Sequence, residues 1–116
     1  DQVLIDLEVM GADVYLASGD SRRSLEALSG LGIDPSRINP VATPRKKKQI
    51  VSDLKERYGK VVMVGDGLND IYALRAADLG VLTVEQHTRP STQLINSADV
   101  IIKSIRDLPG IIEKKL

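Results

Sequence analysis

Two carboxylates four residues apart, Asp66 and Asp70, follow the apolar run Val61-Val62-Met63-Val64 across a Gly65-Asp66-Gly67 turn, with Asn69 beside them. Oxygen donors set this way suit a hard cation such as Mg²⁺. With the apolar run as a parallel strand, the pair stands at its C-terminal tip, the edge where open α/β sheets bind ligands. The same residue types also serve ordinary strand-to-helix turns, so the rest of the chain has to decide. Ser18-Gly19-Asp20 follows a second apolar run, Val14 to Ala17. A hydroxyl and exposed backbone N–H groups at such a tip can hold phosphoryl oxygens, although a helix-capping turn is the plainer reading. Lys46-Lys47-Lys48 stands at the start of a helical stretch. One ammonium aimed inward there would neutralise charge on a transferring phosphoryl group, while the other lysines form a solvated face.

These residues need elements to position them. Val3, Leu4, Leu7 and Met10 recur at helical spacing, and Gly11 closes that helix. Val14 to Ala17 reads as a strand, followed by a helix capped by Asp20 or Ser21 that runs to about Leu28 and ends at Gly30 and Gly32. Asp34-Pro35 is a turn, and Ile38 to Ala42 a short strand. Thr43-Pro44 then opens a helix in the manner of a cap followed by Pro, with Ile50, Val51 and Leu54 as its apolar face and Tyr58-Gly59 as its end. The spacing predicts a strand over Val61 to Val64, a helix over Leu68 to Ala77, a strand over Gly80 to Val84, a polar loop over 85–92 and a short helix around Ser91 to Ser97. A strand over Val100 to Ile102 follows, then a helix from Ile105 to Lys115 broken at Pro109-Gly110. Continuous apolar strands alternating with helices indicate a parallel sheet flanked by helices.

Composition narrows the function classes. The 116 residues fit one domain, and 42% hydrophobic content supports a core built from Leu, Ile, Val and Ala, since Phe and Trp are absent. Three Tyr residues are too few to make stacking on bases or sugars the business of the chain. Sixteen basic and sixteen acidic residues cancel, so no global field attracts nucleic acid or anionic lipid. Cysteine is absent, which excludes disulfides and thiolate metal sites. No apolar run approaches the roughly 18 residues that span a bilayer, and no signal peptide is evident. His87 is read as ordinary surface. Arg22, Arg23 and Arg89 are weaker candidates for substrate contacts at the mouth of a site.

The three motifs, in this order, resemble those of the haloacid dehalogenase (HAD) superfamily, and the resemblance covers essentially the whole chain. Asp13 to Asp20 is similar to the family's second motif, with Ser18 in the hydroxyl position. The helix-borne lysine of the third motif maps best to Lys47, nineteen residues before Asp66, with Lys46 and Lys48 as alternatives. Gly65 to Asp70 looks like the fourth motif, and the continuation from Ile71 to Val81 resembles the cation-pump branch and its soluble phosphatase relatives. The resemblance implies a Rossmann-like parallel sheet over residues 1–116 and Mg²⁺-dependent phosphoryl transfer from a small phosphomonoester, without nucleic acid or membrane as partner and in the cytoplasm. It implies that Ser18, Lys47 and Asp66 carry the catalysis. Ser18, Gly19, Lys47 and Asn69 would contact phosphate. Asp66 would bind the metal directly, and Asp70 directly or through water.

The family's nucleophilic aspartate ends a first strand that lies N-terminal to all of these motifs, and it has no counterpart here. Asp6 and Glu8 sit within a helix, Asp13 is at the wrong end of a strand, and Asp1 has no strand before it. In the family that strand lies mid-sheet, between the strands ending at Ser18 and Val64. Its loss would unpair backbone groups at roughly 1–3 kcal/mol each. The chain is therefore expected to be the C-terminal part of a longer protein, completed by an N-terminal segment or a second chain, and inert by itself. Two other functions compete with the phosphatase. One is the phosphorylation domain of a P-type cation ATPase, against which stand Ser18 in Ser-Gly-Asp-Ser and Ile71-Tyr72 after the fourth motif. The other is a non-catalytic binding protein of the same fold.

Overall fold

The computed structural model describes residues 2–19, 21–26, 30–84 and 89–116, without the side chains of residues 21, 23 and 24. His87, Asp1, the proposed caps at Asp20 and the Ser21 side chain, the Arg23 side chain, the end of the second helix and most of the polar loop lie outside the described residues. The chain forms two compact units, residues 1–43 and residues 44–116, each with its own parallel sheet.

In the first unit, helix α1 (Gln2–Val9) ends in a left-handed Gly11 at φ 88°. The Gly11 N–H donates to the Glu8 carbonyl and the Ala12 N–H to the Leu7 carbonyl, so two of the last carbonyls of the helix are satisfied. Leu7 is buried, but Met10, expected on the apolar face, is exposed. Strand β1 (Leu16–Ala17) is followed by α2 (Ser21–Glu26) and then β2 (Ile38–Asn39). Leu16 pairs with Ile38 and Ala17 with Asn39, in parallel. Both strands are shorter than their apolar runs predict. Pro40 has no N–H to extend the ladder, and Val41 turns the chain at a φ of 54°. Asp34 starts the preceding 3-10 turn by accepting the Ser36 N–H at 2.9 Å.

In the second unit, α3 (Pro44–Tyr58) ends at a left-handed Gly59. Strands β3 (Val62–Gly65), β4 (Leu79–Thr83) and β5 (Val100–Ile102) form a parallel sheet with β4 in the middle. Parallel neighbours need crossovers, which are supplied by α4 (Ile71–Ala76) and α5 (Thr92–Ser97). The Ser91 hydroxyl caps α5 by accepting the Leu94 N–H. The central strand carries the core. Val81 and Leu82, adjacent and so on opposite faces, are both fully buried, and Leu82 packs with Ile71, Leu74 and Leu94. At Gly80 the backbone of α4 comes so close that a Cβ would stand 2.7 Å from the Leu74 carbonyl oxygen.

Two sequence expectations are corrected here. Leu68–Asp70 is a 3-10 turn, and α4 begins only at Ile71. The last helix does not break at Pro109-Gly110. A 3-10 turn (Ile105–Asp107) precedes α6 (Leu108–Lys115), and Pro109 stands in the first turn of α6, where its missing N–H costs nothing. Among the described residues, no helix is long and apolar enough to cross a membrane.

Candidate functional site

The centre of the second unit's site is an ion pair. Lys47 and Asp70 are buried, with 6% and 4% exposure, and Lys47 Nζ donates to Asp70 Oδ1 at 2.9 Å. Lys47 is buried because it lies one helical turn before the buried Val51, on the inward face of α3. Lys46 and Lys48 are exposed. The other oxygen of Asp70, Oδ2, accepts the backbone N–H groups of Asp66 at 3.0 Å and Gly67 at 3.2 Å. One carboxylate thus ties the lysine to the turn at the end of β3. Removing either partner would leave a buried charge uncompensated, which typically costs 3–5 kcal/mol.

Gly65 makes this possible. A Cβ there would stand 2.7 Å from Asp70 Cβ and 2.9 Å from its Cγ and Oδ2. The Asp66 side chain is exposed, and no hydrogen bond or ion pair among the described residues engages its carboxylate. Asn69 is exposed, with its Oδ1 over Gly67. The turn therefore holds Asp70 inward and leaves Asp66 outward. Among the described residues, no three His, Cys, Asp or Glu side chains converge as a metal cage.

In the first unit, Ser18 directly follows β1 and is buried. Its N–H donates to the Asn39 carbonyl and its own carbonyl accepts the Ala42 N–H. Gly19 is exposed beside it.

Two structural roles escaped the sequence reading. Asp78 accepts the Val61 N–H at 2.8 Å and Asp99 accepts the Gly80 N–H at 2.8 Å, each bracing the start of a neighbouring strand. The Val61 N–H and then the Lys55 ammonium hold the Asp78 carboxyl below the usual carboxylate range. The signal was present as a repeated Ala-Asp before a strand, at Ala77-Asp78 and Ala98-Asp99.

Residues 1–78, about two thirds of the chain, match the haloacid dehalogenase-like hydrolase family. The chain belongs to that family. This HAD-like chain is similar to a soluble P-type ATPase-like phosphatase of Methanocaldococcus jannaschii, 31% identical over 114 residues, which are 97% of this chain and 41% of that protein. It is also similar to a copper-exporting P-type ATPase of Legionella pneumophila, 38% identical over 81 residues, which are 69% of this chain and 11% of that protein. The catalytic domain of the CPx-ATPase CopB-B superposes with a TM-score of 0.79 at 30% identity, over 97% of this chain and 44% of that one. The HAD-like chain thus spans less than half the length of these relatives, and its fold is that of part of a P-type ATPase catalytic domain.

Proposed function

We propose that the chain is the C-terminal part of a Mg²⁺-dependent phosphohydrolase acting on a small phosphomonoester, through an aspartyl-phosphate whose aspartate lies outside this chain. The observation that carries the reading is the buried Lys47–Asp70 pair, which holds the β3 turn so that Asp66 projects with its carboxylate unengaged. The donor set fits Mg²⁺, which keeps several waters and takes one or two carboxylates besides phosphate oxygens. Asp66 is the direct ligand in this reading. Asp70, whose oxygens already accept three N–H donors, acts in support through water. When bound, the ion supplies charge neutralisation at a phosphoryl oxygen.

The chain's own residues do the positioning that phosphoryl transfer needs. Lys47 is fixed by Asp70 and presents its charge to the incoming phosphate. Asn69, exposed on the turn, is assigned a phosphate hydrogen bond. The family resemblance assigns phosphoryl contacts to Ser18 and to the Gly19 N–H. A second reading, the phosphorylation domain of a cation pump, is favoured by the match to the copper-exporting ATPase. Membrane helices in the complete gene would decide for it.

The test uses the protein extended to its full open reading frame, with p-nitrophenyl phosphate as substrate. Asp66→Ala abolishes Mg²⁺-dependent turnover, and Lys47→Ala loses far more rate than Lys46→Ala or Lys48→Ala. Unchanged turnover in Asp66→Ala removes that residue from the site, and three equal small losses reduce the lysines to a solvated face.

A further inference from the structure

The net charge of zero hides a separation. Residues 1–43 carry seven acids and three bases, and residues 44–116 carry nine acids and thirteen bases. Each excess has an apolar surface attached to it. On α1, the acids Asp6 and Glu8 flank Ile5 at 51% exposure and Val9 at 81%, and residues 1–13 contain no base. Ile5 and Val9, one helical turn apart and flanked by these acids, give α1 a small apolar face of negative charge. In the second unit, an open groove lies between the end of β5 and α6. Ile101, Ile102 and Ile111 form its apolar lining, and Lys103, Arg106 and Lys114 line it with positive charge against the single acid Asp107. None of the three cations makes an ion pair among the described residues. The groove also lies on β5, an edge strand of its sheet.

We infer that the acidic apolar face of α1 in one copy of the chain docks into the basic apolar groove of α6 in a second copy. Charge and apolar character both match. The two helices have the same length, eight residues each, about 12 Å at 1.5 Å per residue. So short a contact lies at the small end of specific interfaces, and the association is weak, with a Kd in the micromolar to millimolar range. Because electrostatics contributes strongly, it fades as salt screens the charges.

Sedimentation velocity on the protein extended to its full open reading frame tests this. Self-association weakens by about tenfold or more between about 50 mM and about 500 mM NaCl, a range over which the screening length shrinks roughly threefold. A helix-reversed variant (Asp6→Lys with Glu8→Lys) and a groove-reversed variant (Lys103→Glu with Lys114→Glu) each sediment as monomers. Their equimolar mixture associates again, because each surface then meets its opposite. Thermal melts by circular dichroism confirm that both variants are folded before they are scored. A chain that stays monomeric at every concentration overturns the proposal. So does association that ignores salt and both reversals, as strand-to-strand pairing would, and so does a mixture that remains monomeric.

Discussion

The side chain of Asp70 occupies the space that a Cβ at residue 65 would need, so Gly65 is part of the ion-pair machinery although it has nothing to ionise. Gly65→Ala displaces Asp70 from Lys47 and from the two turn amides. The expected outcome is a loss of about 3 kcal/mol in unfolding free energy, the usual scale for breaking a buried pair, measured by urea titration. A loss near zero would show that the pair re-forms around the methyl. Val41 carries a different cost. A β-branched residue at a φ of 54° is strained by roughly 1–2 kcal/mol, and its side chain, 63% exposed, gains little from burial. Val41→Gly relieves the strain and gives part of it back as backbone entropy. A rise of about 1 kcal/mol is expected by the same titration. The family resemblance singled out Lys47 and left Lys46 and Lys48 open, because Ile50 follows Lys46 at the same helical spacing as Val51 follows Lys47; which one turns inward emerges only with the helix in place. That Val41 is left-handed was not legible either, since no Gly or Asn marks the position.

At the level of elements, the starts of β3 and β4 are each held by an aspartate that stands just before the next strand. Asp78 bonds the Val61 N–H and pairs with Lys55 at 3.3 Å. Its carboxyl is held below the usual range, so it binds protons less readily folded than unfolded. Its contribution to stability is therefore complete above the ordinary aspartate pKa of about 3.9 and is lost as pH falls through the lower folded value. The melting temperature of Asp78→Asn falls below that of the parent chain at neutral pH, and the two converge in acid. Parallel curves at all pH values would remove Asp78 from the acid response. The strands of the second unit were readable as apolar runs, because β4 is covered on both faces and carries no polar alternation to confuse its period. Helix starts were less readable. Leu68–Asp70 and Ile105–Asp107 tighten into 3-10 turns because Asp70 and Ser104 bond backbone N–H groups locally, and periodicity does not register such bonds.

For the molecule as a whole, equal numbers of acids and bases remove the repulsion that keeps proteins apart at neutral pH. Solubility at low ionic strength is expected to reach its minimum near pH 7 and to rise on adding salt, as measured by light scattering. A minimum far from neutrality would mean that the surface charge differs from the formal count. The parallel architecture and the order of the motifs were visible at this scale because spacing along the chain survives without coordinates. The separation of charge between the two units emerges only when the unit boundary at Thr43 is known.

The two crowded glycines differ in what obstructs them, and this sets how each position can drift over generations. At residue 65 the nearest obstacle is the Cβ of Asp70, so a lineage opens the way only by first placing glycine at position 70, at the expense of the partner of Lys47. At residue 80 the obstacle is the main-chain oxygen of Leu74, which every amino acid carries. No single replacement elsewhere clears it. Position 80 is closed to neutral change until helix α4 itself shifts.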